Sequence, residues 1–116
     1  MNIQRQVGGW GEQAAVEYLE KQGYVILARN FRTGHGEVDI IARQENVLVF
    51  VEVKTRSSNQ YGYPEHSVTR RKRMHILSSA EKYIHAHTEF DTWRLDVIAV
   101  ECETGEAKIT HFENVL

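Results

Sequence analysis

The first segment has a helical rhythm. Over residues 5–22, a rotation of about 100° per residue gathers Val7, Ala14, Ala15, Val16, Tyr18 and Leu19 onto one broad apolar face. Gly23 follows as a stop. Tyr24 to Ala28 reads as a short first strand. From Glu37 to Arg43 the pattern alternates, with Val38, Ile40 and Ala42 on one side and Glu37, Asp39 and Ile41 on the other. Val47 to Thr55 is β-branched and apolar, which predicts a strand covered on both faces. The short polar stretch Gln44 to Asn46 joins these two strands as an antiparallel hairpin. Arg56 to His66 holds the only proline and reads as a loop. Ser67 is placed to cap a second helix reaching about His87, with a core face of Ile76, Leu77, Ala80, Tyr83 and Ile84. Thr92 to Val100 and Ala107 to Phe112 are two further strands, turning at Gly105. The order α-β-β-β-α-β-β predicts a sheet with a helix packed against it, an α/β or α+β sandwich.

Length and composition narrow this picture only slightly. A chain of 116 residues, 41% hydrophobic, suits one domain spanning 1–116. The single cysteine, Cys102, cannot form an internal disulfide, and the polar N-terminal stretch does not resemble a signal peptide. A cytoplasmic location is expected. The net charge of −2 neither requires nor excludes a nucleic-acid partner, because Arg70, Arg71, Lys72 and Arg73 still form one basic cluster.

The hairpin carries the chemistry. Keeping its two valine-rich faces together sets Ile41 opposite Phe50, Asp39 opposite Glu52 and Glu37 opposite Lys54. Opposed side chains have Cβ atoms roughly 5 Å apart. Two carboxylates at ~4 Å repel by about 4 kcal/mol at an effective dielectric near 20. A divalent cation would offset that repulsion, since Mg²⁺ takes one or two carboxylates together with substrate phosphate oxygens. Lys54 would add a fixed positive charge for a phosphate oxygen or an attacking water. The bland alternative is a solvated strand end with Glu37–Lys54 as an ordinary cross-strand ion pair.

Three further features bear on this reading. Glu12 falls within the apolar face of the first helix, where a carboxylate is costly without a partner; metal ligand and local hydrogen bond remain equal options. The basic cluster occupies the first turns of the second helix, where the helix dipole disfavours cations, so an anionic ligand there would explain it. Lys72 and Arg73 lie on or beside the core face, and Lys72 is expected to turn toward the hairpin, whereas Arg70 and Arg71 read as solvated. Tyr61 and Tyr63 in the loop could stack on bases, although an ordinary surface loop explains them as well. Arg94 and Asp96 share a strand face and read as a structural ion pair. The six histidines show no metal-ligand spacing, and His85 and His87, near the end of the second helix, read as surface residues.

The runs Gly36-Glu37-Val38-Asp39-Ile40-Ile41 and Val49-Phe50-Val51-Glu52-Val53-Lys54-Thr55-Arg56 resemble the bacterial YraN family. So do Gly11-Glu12, Lys72 and Arg94-Leu95-Asp96-Val97, and the resemblance covers nearly the whole chain. It implies the restriction-endonuclease-like, PD-(D/E)XK fold: a three-layer core with a mixed central sheet flanked by helices. It also implies a metal-dependent nuclease hydrolysing phosphodiester bonds in DNA, branched or damaged DNA among the options. Asp39, Glu52, Lys54 and Glu12 would be the catalytic set, the last as an auxiliary acid as in similar archaeal Holliday-junction resolvases. Asp39, Glu52 and Val53 would hold Mg²⁺ or Mn²⁺, with Glu37 behind them. Arg56, Lys72, Arg73, Tyr61 and Tyr63 would face nucleic acid. A homodimer is open, because resolvase-like enzymes often pair. Val38 stands where the superfamily's eponymous proline would be. The alternative is a non-catalytic nucleic-acid-binding or adaptor domain that retains the nuclease fold.

Overall fold

The computed structural model describes residues 3–56, 69–103 and 105–116, with side chains from residue 9 onward except that of Glu103. The elements are α1 (Ile3–Lys21), β1 (Val25–Thr33), β2 (Gly36–Gln44), β3 (Val47–Arg56), α2 (Arg70–Ala86), β4 (Thr92–Glu103) and β5 (Glu106–Phe112). This is the expected α/β order. One mixed sheet, β1-β2-β3-β4-β5, has β3 and β4 parallel and every other pair antiparallel. Parallel neighbours require a crossover, and α2 sits within it, so α2 covers one face and α1 the other.

The apolar run of β3 explains the three layers. Val49 and Val51 turn toward α1, where they meet Ala15, Val16, Leu19, Ile40, Ala42, Ile98 and Val100. Leu48 and Phe50 turn toward α2, meeting Ile41, Ile76, Ala80, Tyr83 and Leu95. Both faces of the strand are therefore withdrawn from water. Each fully buried Val, Leu, Ile or Phe among these contributes about 1.5–3 kcal/mol. The side chain of Val7 lies outside the described ones.

Four local expectations are corrected. Strand β1 does not stop at Ala28 but continues to Thr33, because the polar run Arg29-Asn30-Phe31-Arg32 forms a half-exposed edge strand against β2. Helix α2 is capped by Thr69, whose hydroxyl accepts from the Lys72 N–H at 3.1 Å, rather than by Ser67, which lies outside the described residues with the loop 57–68. His87 is not simply a surface group: it stacks on Tyr83 with ring centroids 3.9 Å apart. Val38 joins the α2-side cluster with Phe31, away from Ile40 and Ala42. Alternation breaks here between the pairs Arg29↔Ile40 and Phe31↔Val38, where Asn30 adopts φ 52°, a conformation asparagine tolerates better than most residues.

The same irregularity opens the end of the hairpin. The β2–β3 ladder runs in the expected register through Ile41↔Phe50 and ends at Ile40↔Val51. Beyond it the strands part, and the Asp39 side chain enters the gap.

Candidate functional site

Asp39 and Glu52 lie on the same side of the sheet. They line one cavity of about 220 Å³ with Gly36, Glu37, Lys72, His75 and Ile76, between the start of β2 and the first turns of α2. Asp39 Oδ2 accepts from the Val53 N–H at 2.8 Å, so a side-chain oxygen replaces a ladder carbonyl and fixes the carboxylate against β3. Glu52 is buried on β3, one residue beyond the end of the ladder.

Two ammonium groups converge on one oxygen of Glu52. Lys72 Nζ is 2.5 Å from Glu52 Oε1, and Lys54 Nζ is 3.6 Å from the same atom. The Thr69 cap sets the phase of α2 that brings Lys72 inward. Close approaches of helix to strand set the depth. At Gly36 an added Cβ would lie 3.2 Å from the His75 Cβ and carbonyl oxygen, and at Gly11 it would lie 2.0 Å from Thr55 Oγ1. The second approach lays α1 on β3 and carries Glu12 toward Arg29 and Asn30.

The charges report crowding. Burial, then the Glu52 carboxylate beside it, pushes the Asp39 carboxyl up to about 7, against the opposing Val53 hydrogen bond. Burial also raises Glu12, and Glu37 and Glu52 add to the rise while Arg29 and the Asn30 side chain oppose it. Lys54 is pulled below the ordinary lysine value by burial and by Lys72. Burial pulls Lys72 the same way, but Glu52, with Asp39 behind it, reverses the effect and holds it above that value. The site thus holds charges of both signs away from water, each raising the cost of its like neighbour.

The structure brings together Asp39, Glu52, Lys54 and Lys72. Glu12 approaches from the other layer, with Arg29 Nε 3.9 Å from its Oε1, and that oxygen is buried without a hydrogen bond among the described residues. Two of the expected site residues have partners within the fold. Glu37 lines the cavity but pairs with Arg32 at 3.5 Å instead of facing Lys54, because the ladder that would have opposed them has ended. Arg73 donates from Nη1 to the Val115 carbonyl at 3.0 Å, tying α2 to the C-terminal segment. Arg56 ends β3 opposite Glu101 of β4. Tyr61 and Tyr63 lie outside the described residues. Among the described residues, no three of His, Cys, Asp and Glu gather into a metal-holding group. His75 is the cavity-lining group that sequence reasoning missed; its spacing of three from Lys72 was the available signal.

Arg94 and Asp96, in the first half of β4, serve a different purpose. Asp96 is fully buried and accepts from Arg94 Nε at 3.0 Å and the Asn114 N–H at 2.9 Å, with His111 Nε2 at 2.7 Å. Burial raises its carboxyl, but these partners outweigh that and hold it below the ordinary value. A carboxylate with three such contacts inside the protein is a structural hub.

The motifs around this site have many counterparts. The model described as "Uncharacterised protein family UPF0102" matches residues 11–100. The chain belongs to this family. That membership bears out the YraN-like resemblance of the Asp39 and Glu52–Lys54 motifs. A UPF0102 protein of Syntrophomonas wolfei is 42% identical over 113 residues, covering 97% of this chain and 98% of the relative. One from Trichlorobacter lovleyi is 49% identical over 111 residues, covering 93% and 87%. Among solved structures, SfsA of Pyrococcus furiosus in complex with Ca²⁺ is similar at 15% identity with a TM-score of 0.40, and the match covers 95% of this chain and 63% of that one. No helix among the described residues is long and apolar enough to cross a membrane.

Proposed function

We propose that this UPF0102 protein is a cytoplasmic, divalent-metal-dependent nuclease that hydrolyses phosphodiester bonds in DNA, branched or damaged DNA being the natural class to test first. The carrying observation is the pairing of Asp39 with Glu52 in one cavity, with Asp39 held near pKa 7 and Lys54 and Lys72 drawn onto Glu52. Such crowding costs stability and suits a cation and a phosphate.

The donor set fits Mg²⁺ or Mn²⁺. Asp39 and Glu52 supply hard oxygens, Val53 lies between the Glu52 and Lys54 positions, and the remaining coordination is of the kind water and phosphate oxygens fill. The orphaned Glu12 Oε1 offers a further acceptor for a metal-bound water. When bound, the metal would polarise the phosphate and lower the pKa of water. Lys54 orients the attacking water and stabilises charge developing on the phosphate oxygens. Lys72 leaves Glu52 to hold a neighbouring phosphate oxygen, and Arg56 extends the basic path along β3.

The test is a panel of duplex, single-stranded, branched and gapped DNA, with matching RNA, incubated with Mg²⁺ or Mn²⁺. Wild type is compared with Asp39→Asn and Lys54→Ala after circular dichroism confirms folding. Metal-dependent cleavage lost in both variants is expected. Binding without cleavage, indifferent to metal and to both substitutions, would instead establish the adaptor reading.

A further inference from the structure

Hydrolysis of a phosphodiester needs two proton movements, one at the attacking water and one at the leaving oxygen, and the carboxylates with Lys54 serve only the first. The cavity wall offers a candidate for the second. His75 sits on α2, three residues after Lys72 and hence on the same helix face, and lines the cavity with Asp39 and Glu52. Its backbone and Cβ are set by the close approach of Gly36, so the base of the side chain is fixed while the ring remains exposed.

The other titratable groups facing that cavity are already committed. Glu37 is held by Arg32, Asp39 accepts from the Val53 N–H, and Lys72, drawn to Glu52 in the free protein and to a phosphate oxygen once DNA is bound, keeps its proton tightly. Among the described residues, the His75 ring makes no hydrogen bond or ion pair. Imidazole is the side chain best suited to deliver a proton near neutral pH. Lys54 approaches Glu52 from β3, which leaves the α2 wall, where His75 stands, to the leaving group.

Building on the nuclease reading, we propose that His75 is the general acid that protonates the leaving ester oxygen. Water adds to phosphorus as the bond from phosphorus to the leaving oxygen breaks. The electron pair of that bond stays on the oxygen, which takes its proton from the His75 imidazolium. The proton lost by the attacking water passes to solvent, and solvent later reprotonates the neutral imidazole.

The experiment compares wild type, His75→Ala and His75→Gln on a DNA that the wild type cleaves with Mn²⁺. The same DNA is prepared with sulfur replacing the bridging 3′ or 5′ oxygen. A thiolate leaves without a proton. Both variants should lose about 100-fold in kcat on the oxygen ester, with KM little changed, and should recover to near the wild-type rate on the sulfur ester that reports the leaving side. Undiminished oxygen-ester cleavage by the variants would overturn the proposal. So would an equal loss on both esters, which would assign His75 to binding or folding. If wild type cleaves no substrate of the panel, the nuclease reading itself falls and this proposal falls with it.

Discussion

Replacing Asp39 by Asn should make the metal-free protein more stable while abolishing its activity. Asparagine preserves the shape and can still accept from the Val53 N–H through its carbonyl oxygen. It removes the charge that burial and Glu52 resist. A carboxyl shifted from 3.8 to about 7 stores roughly 4 kcal/mol against ionisation, at about 1.4 kcal/mol for each tenfold change in proton affinity. Relaxation and water entry reduce this to an effective cost of about 1–3 kcal/mol. Proton counting gives the sign. Between pH 4 and about 7 the folded Asp39 holds its proton and the unfolded one does not, so its favourable contribution is present below about pH 4 and lost as pH rises to about 7. Thermal unfolding followed by circular dichroism from pH 4 to 8.5 reads the effect. For a domain of this size, Asp39→Asn should raise Tm by about 5–10 °C at pH 8, converge on wild type near pH 4, and flatten the slope between. Mn²⁺ at tenfold its Kd should restore about 1.4 kcal/mol to wild type and little to the variant. A variant no more stable than wild type at pH 8, with its pH slope intact, would refute the electrostatic account of this site.

Substitutions elsewhere probe the hub, the helix–strand contact and the basic wall. Asp96→Ala leaves Arg94, His111 and the Asn114 N–H without their buried acceptor and should cost about 3–5 kcal/mol in urea unfolding. Because the Asp96 carboxyl is held low, its stabilisation is present above about pH 4 and lost as pH falls through its native value, so the wild type should lose more stability on acidification than an Asp96→Asn variant. Gly11→Ala places a Cβ on Thr55 and should cost about 1–3 kcal/mol, with most of the loss recovered in Gly11→Ala/Thr55→Ala, as measured by Tm. Lys72→Met should weaken DNA binding and lower its dependence on salt by about one phosphate contact, as read from binding titrations at several salt concentrations.

The sequence alone settled the element order and the pairing of β2 with β3. Valine-rich faces can be buried together in only one register, and slipping it by a residue would turn them to water. It also placed Lys72 toward the hairpin, because helical phase is a local property. Three-dimensional structure decided what local pattern cannot encode. Alternation counts residues on a regular strand, but Asn30 and Asp39 break regularity together, so the facing of Glu37 and Lys54 inferred from parity did not survive. The polar edge of β1 was invisible because its strand character comes from pairing with β2 rather than from its own side chains. The employment of Arg73 by Val115 and the approach of His75 to Gly36 join residues far apart in the chain, and only the packing of α2 over the sheet brings them together.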